Sequence, residues 1–387
     1  MRKWILILLI TGLCVSWIPV KAEDSTLIPN AKSGILIDAA TGTILFEKNK
    51  EEKLPMASLT KMVAQTIILE QIEQGKLKWD DKVTASQNAS DMGGSQIYLA
   101  TGEVMTVKDM MKGISIASAN DATVAMAEHI AGSEADFVKM MNDKVKEWGL
   151  KNTVFKNCTG LDEEGHYSTA YDLAMIAKEL LKHEEISDFS SIYEDYLRTD
   201  TPNKFWLVNT NRLIRFYEGA DGLKTGHTDN ALYCLAATAK KDGMRLIAIV
   251  LGEQDSKVRN SETMDLLDYG YTTYKVTNLK KQNEVVGEIK LEKATKEKVN
   301  VVPVQDISIL NKKTDDDKNY ELKLNLNEVK LPIKVGDVVG KAQVVDGDKV
   351  IQEVDLTVQE NVEKSGFLRL LLKNLEDVVT GKITILK

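Results

Sequence analysis

Apolar positions along the chain follow two periods, and the places where the period changes mark its organisation. Residues 33–47 hold two short apolar runs around Ala40-Thr41-Gly42, the pattern of a β-hairpin. From Lys61 to Gln74, Val63, Ile67, Ile68 and Ile72 recur at helical spacing, with Pro55 ahead of the run and Gly75 behind it. Helical spacing resumes over 106–147, where Thr106-Val107-Lys108-Asp109 reads as a capped start and Gly149 as a stop. Residues 168–182 form a further amphipathic pattern, with Ala174, Ile176, Ala177 and Leu180 on or beside the apolar face. After Gly226 the runs 231–240 and 244–252 are strand-like and joined by Lys241-Asp242-Gly243, a second hairpin; 263–274 then reads as a closing helix. Strands at both ends with helices between them predict an α/β (α+β) domain over 23–277.

Residues 278–363 have a different texture. Short alternating strands are predicted over 285–291, 299–304, 320–326, 338–344 and 350–358, with charged or glycine-containing turns such as Asp346-Gly347-Asp348 between them. This is a small all-β module without histidine or cysteine, read as a spacer or interaction module. The tail, 364–387, sets Phe367, Leu371, Leu375 and Val378 on one helical stripe, with Arg369, Lys373, Glu376 and Asp377 on the other side. It is too short and too charged to span a bilayer, and it fits a helix lying in a membrane interface; docking on the protein itself is the alternative.

Composition bounds the class. The chain has 387 residues and a formal net charge of −8, enough for two or three domains with a sizeable core and unfavourable for nucleic acid as a main partner. Arg2 and Lys3 precede an apolar run over 4–15, and Val20-Lys21-Ala22 offers a small-residue cleavage site, so 1–22 is expected to be a secretory signal peptide. A lipid anchor on Cys14 is rejected, because Leu13 precedes it where a small residue is expected. Only Cys158 and Cys234 lie beyond that leader; they are read as small buried hydrophobes, with pairing left open.

Several chemistries lack a signature. The histidines His129, His166, His183 and His227 have no metal-ligand spacing, and there is no G-x-S-x-G elbow, P-loop or dinucleotide fingerprint, so neither metal nor cofactor is expected. Ser58-Leu59-Thr60-Lys61 is different. With a helix starting near Ala57, hydroxyl and amine at i and i+3 share a face and can touch, and a desolvated lysine amine can take the proton of a serine nucleophile. Alone, the tetrapeptide equally fits a capping serine beside a solvated lysine. Two later motifs alter that balance: Ser118-Ala119-Asn120 between two helical patterns, and Lys224-Thr225-Gly226 ahead of the second hairpin. S-x-x-K, S-x-N and K-T-G in this order are the signature of penicillin-binding proteins and class A β-lactamases. Ser86-Gln87-Asn88 is a second S-x-N, set aside because its neighbours are less apolar.

From Ser33 to about Tyr274 the chain resembles the low-molecular-mass penicillin-binding proteins that are serine-type D-alanyl-D-alanine carboxypeptidases. Further matching stretches are Gly93-Gly-Ser-Gln-Ile-Tyr-Leu99, Gly165-His-Tyr-Ser-Thr169 and Asp221-Gly-Leu-Lys-Thr-Gly-His-Thr228. The resemblance implies a β-lactamase-like transpeptidase domain, an antiparallel sheet packed with helices, followed by the all-β domain and the amphipathic helix. It implies Ser58 as acyl-ester nucleophile and Lys61 as general base, with its proton affinity lowered by nearby Lys224. Ser118 would relay the proton, and Asn120 would bind the substrate amide and orient Lys61. Lys224, Thr225 and Gly226 would line the substrate's terminal carboxylate, and the backbone of Ser58 and His227 would form the oxyanion hole. Arg259 is expected to add a second positive charge there, or else to be a solvated surface arginine. The implied substrate is a peptidoglycan stem peptide ending in D-Ala-D-Ala, with β-lactam antibiotics as covalent inhibitors, and the implied location is the outer face of the cytoplasmic membrane or the cell envelope. A D,D-endopeptidase, a β-lactamase and a non-catalytic binder are the competing readings. Two departures stand out: Ala119 where class A β-lactamases have Asp, and Leu232 where a glycine is expected after Ala231.

Overall fold

The structure, a computed structural model, describes residues 26–315 and 320–366. The expected leader and the expected tail beyond Gly366 lie outside the described residues.

The first part of the chain is built on a five-stranded antiparallel sheet in the order Ile44–Lys48, Ser33–Asp38, Met244–Glu253, Leu232–Lys241, Ala220–Thr228. Strand alternation explains why both faces are apolar. Ile35, Ile37, Ile247, Ile249 and Leu251 point to the helical side, and Leu36, Leu246, Ala248 and Val250 point to the other. On the first face lie the helices Lys61–Glu73, Val107–Ile116, Asn120–Ala131, Glu134–Glu147 and Ala170–Leu180. Ser256–Thr273 covers the second, and it comes close because Gly270 lacks a side chain; a Cβ there would meet Leu246 at 2.5 Å.

Both hairpins form as the apolar pattern predicts. At the first, Gly42 has φ +74°, and Asp38 Oδ1 accepts from the Thr41 amide at 2.8 Å. Capping likewise follows sequence: Thr106 accepts from the Asp109 amide, and Thr169 from that of Asp172. Three local features differ. The closing helix starts at Ser256 rather than near 263, because the Asp255 carboxylate caps it through the Lys257 and Val258 amides. Residues 220–228 form a strand of their own at the sheet edge. A further hairpin pairs Glu194–Leu197 with Phe205–Val208, and its second strand is apolar throughout rather than alternating.

The second part has a five-stranded antiparallel sheet in the order Gly287–Lys290, Lys298–Pro303, Lys349–Val358, Gly340–Asp346, Glu321–Leu326, around Val301, Val344, Val354 and Leu356. Its strands fall where alternation predicts them. A further pair, Tyr274–Lys280 with Ile307–Lys312, was not foreseen.

The glycine expected after Ala231 has a backbone reason. Leu232 adopts φ +58° where the edge hairpin turns, in the left-handed region that costs a residue with a Cβ about 1–2 kcal/mol. Glycine escapes that cost but loses about 0.5–1 kcal/mol through the freedom of the unfolded chain. Leu232→Gly is therefore expected to stabilise the protein by about 0.5–1 kcal/mol, seen as a rise of about 1–3 °C in Tm. A lower Tm would mean that the half-buried leucine side chain outweighs the backbone.

Candidate active site

Residues Ala57–Thr60 form one 3-10 turn, and the α-helix proper runs Lys61–Glu73. Ser58 caps nothing: neither the turn nor the helix has a side-chain cap. In a 3-10 turn residues i and i+3 eclipse one another, which brings Lys61 Nζ to 2.9 Å from Ser58 Oγ. Lys61 is fully buried. Its Nζ also donates to Asn120 Oδ1 at 2.6 Å and to the Thr159 carbonyl at 2.6 Å. The orientation of the Asn120 amide is fixed by its Nδ2, which donates to the Gly93 carbonyl at 2.7 Å. Both partners accept only, so a neutral amine must turn its two N–H bonds toward them and its lone pair toward Ser58. Burial lowers the Lys61 pKa to about 7, against the opposing influence of Cys158 and Asp121. Desolvation is the main cause, and the repulsion between Lys61 and Lys224 expected from the sequence acts between the same two buried amines.

Ser118 sits between two helices with φ +63° and is buried, and among the described residues its hydroxyl has no hydrogen-bond partner. Asn120 opens the helix Asn120–Ala131. Its neighbour Asp121 accepts from the Ile97 amide at 3.1 Å and the Leu99 amide at 3.0 Å, tying the 93–99 loop to that helix. The competing S-x-N has a structural use, because Ser86 caps Gln87–Ser90 through the Ala89 amide.

The edge strand closes the other side. Lys224 is buried and donates to the Thr225 carbonyl at 3.1 Å. Its pKa is pushed well below the usual lysine value by burial, with the charges of Lys61 and Arg259 adding to the effect. Thr225 Oγ1 donates to Thr210 Oγ1 at 2.7 Å. Gly226 lies directly against the nucleophile turn; a Cβ there would meet the Met56 carbonyl at 2.9 Å and the Ser58 nitrogen at 3.2 Å. His227 is exposed, its ring stacked on Tyr233 at 4.2 Å. Arg259 is buried rather than solvated, and donates to Asn260 Oδ1 and the Cys234 carbonyl. Lys61, Lys224 and Arg259 thus gather in one buried region, and among the described residues none of them has a carboxylate hydrogen-bonded to it.

The 156–166 loop contributes residues that the motifs do not reveal. Asn157 Oδ1 accepts from the Gly160 amide at 2.7 Å and shapes the bend that presents the Thr159 carbonyl. Gly160, at φ +86°, also touches the turn, where a Cβ would overlap the Ala57 carbonyl at 1.9 Å. His166 Nε2 lies 2.8 Å from Thr60 Oγ1. Cys158 is buried and hydrogen-bonded to Glu134; like Cys234 it is a free thiol. Among the described residues no cluster of His, Cys, Asp and Glu is placed to hold a metal ion.

Residues 21–255 match the D-alanyl-D-alanine carboxypeptidase family, and residues 274–364 match the C-terminal domain of penicillin-binding protein 5. The chain is 49% identical over 357 residues to D-alanyl-D-alanine carboxypeptidase DacF of Bacillus subtilis, covering 92% of each chain. It is 33% identical over 376 residues to DacA of Escherichia coli, covering 93% of this chain and 92% of that one. Among solved structures, penicillin binding protein 5 from Haemophilus influenzae superposes with a TM-score of 0.68 at 30% identity, over 87% of this chain and 98% of its own. With the serine, two lysines and asparagine gathered at one sheet edge, these likenesses identify the chain as a member of the D-alanyl-D-alanine carboxypeptidase family of serine peptidases.

Proposed function

We propose that Ser58 is the nucleophile of a carboxypeptidase that removes the terminal D-alanine from peptidoglycan stem pentapeptides. The reading rests above all on the buried Lys61 amine at 2.9 Å from Ser58 Oγ with a pKa near 7, which makes it a base at physiological pH. Lys61 Nζ takes the Ser58 proton as Oγ bonds to the carbonyl carbon between the two D-alanines. The backbone amides of Ser58 and His227 stabilise the oxyanion. As the C–N bond breaks, Ser118 passes the proton to the leaving amine and free D-alanine departs. Water then hydrolyses the ester and regenerates Ser58. Asn120 orients Lys61 and meets the substrate amide. Lys224 and Thr225, beside Gly226, hold the terminal carboxylate, and Arg259 adds its charge from behind the edge strand. The need for a free C-terminus follows, because the substrate supplies the anion that this cationic region lacks.

A β-lactamase needs fast hydrolysis of the same ester. Among the described residues no carboxylate is hydrogen-bonded to Ser58 or Lys61, which favours the carboxypeptidase. We also propose that 1–22 is a signal peptide, 23–277 the catalytic domain and 278–363 the β domain, and that the tail forms a helix on the outer face of the cytoplasmic membrane. That helix starts after Lys364, which forms a β-bridge with Ala294, and Ser365, whose amide donates to the Lys293 carbonyl. Among the described residues no helix is long and apolar enough to cross a membrane.

Ser58→Ala is expected to abolish labelling by a fluorescent penicillin, and the unaltered protein to release free D-alanine from a pentapeptide; labelling that survives in the variant removes Ser58 from the mechanism, and labelling without release points to a binder. Acylation should fall about tenfold for each pH unit below 7 as Lys61 takes up a proton. A flat profile between pH 5 and pH 7 would exclude Lys61 as the base. Deleting 364–387 should move the protein from the membrane to the soluble fraction; unchanged fractionation would end the anchor reading.

A further inference from the structure

His166 lies outside the three motifs, yet it is buried and hydrogen-bonded to the turn that carries Ser58. Its Nδ1 accepts from the Lys156 amide at 3.1 Å. The ring hydrogen of the neutral imidazole must therefore sit on Nε2, which donates to Thr60 Oγ1 at 2.8 Å. Phe155 packs edge-on against the ring, with centroids 5.8 Å apart. Thr60 is fully buried and is the last residue of the 3-10 turn, between Ser58 and Lys61. Lys156 stands at the start of the loop whose Thr159 carbonyl accepts from Lys61 Nζ. One imidazole thus joins the turn that carries the nucleophile to the loop that orients the base.

We infer that His166 is a positioning residue for acylation: through Thr60 and the Lys156 amide it fixes Ser58 and Lys61 relative to the Thr159 carbonyl. The inference rests on the assignment of Ser58 and Lys61 above. It requires the ring to stay neutral, since a proton on Nδ1 would face the Lys156 N–H. The charged groups around the ring are Glu163 and Asp162, which favour protonation, and Lys156 and Lys61, which oppose it; burial outweighs them all and holds the pKa near 4. Glutamine can reproduce both bonds, Oε1 accepting from Lys156 and Nε2 donating to Thr60, whereas leucine fills similar space and makes neither.

The test measures acylation by a fluorescent penicillin, kcat and KM for D-alanine release, and Tm on the full chain. It compares the unaltered protein with His166→Gln, His166→Leu, Thr60→Val and the double variant His166→Leu/Thr60→Val. His166→Gln is expected to acylate within about threefold of the unaltered rate. His166→Leu and Thr60→Val should each slow acylation by roughly 10- to 100-fold, with kcat falling much more than KM rises, because reacting atoms about an ångström out of place carry a penalty of that order. The double variant should be no slower than the worse single one, since both remove the same bond. The inference is overturned if His166→Gln is as slow as His166→Leu, if His166→Leu keeps the full rate, or if the single losses multiply. Should His166→Leu fail to fold, Thr60→Val breaks the same bond from the other side. Ser58→Ala, run in parallel, separates the two levels: labelling of that variant refutes the nucleophile assignment, while its loss beside a fully active His166→Leu refutes only the positioning role.

Discussion

The site depends on one costly act, the complete burial of the Lys61 amine. A charged ammonium resists leaving water, so burial favours the neutral form and brings the pKa to about 7. The neutral amine then needs partners for two N–H bonds, and the Asn120 side chain and the Thr159 carbonyl supply them at 2.6 Å each. With both hydrogens committed, the lone pair has only Ser58 to face. Ser58, Lys61 and Asn120 therefore form one arrangement, and moving any of them would disturb the proton balance of the rest.

The same desolvation organises the far side of the cleft. Lys224 and Arg259 are buried near Lys61 without a carboxylate hydrogen-bonded to any of the three among the described residues, and burial lowers the proton affinity of both. An anion entering this region would offset that mutual repulsion. A carboxylate-terminated peptide answers that requirement in a way that an internal peptide bond does not. On the proposed reading, selectivity for chain ends would follow from charge balance as much as from shape.

Much of this was legible in the sequence, and the limits have physical causes. Two hairpins, the helices and the β module follow from apolar period, because burial on one or two faces leaves that period in the chain. Ser58, Lys61, Ser118, Asn120 and Lys224 were nominated by motif, and the fold brings them to one sheet edge. The 3-10 turn was missed because 3-10 and α geometry share residue preferences, and only the later helix start reveals it. The hairpin Glu194–Leu197 with Phe205–Val208 exposes Tyr196 and Trp206 on its outer face, so its strands show little apolar alternation. Thr159 and Gly160 act through a carbonyl and through the absence of a side chain, and neither leaves a mark that spacing can read. His166 stands in the sequence as one of four scattered histidines and within the matching stretch 165–169, but without a role, since its partners lie 10 and 106 residues away.

Those unmarked positions account for the precision of the site. Ala57 has φ +48°, a conformation a residue with a Cβ seldom takes, and Gly160 and Gly226 both press on the turn. Neither glycine has space for a Cβ, which would come within 1.9 Å of the Ala57 carbonyl at Gly160 and 2.9 Å of the Met56 carbonyl at Gly226. The turn is held in its strained shape by backbone contact rather than by its own residues. Ser58 can then be small, uncapped and partly open to solvent without losing its place, because it is the surroundings that are rigid. A motif names the reacting groups, whereas their geometry is set by neighbours whose contribution is a carbonyl, a missing side chain or an uncharged ring.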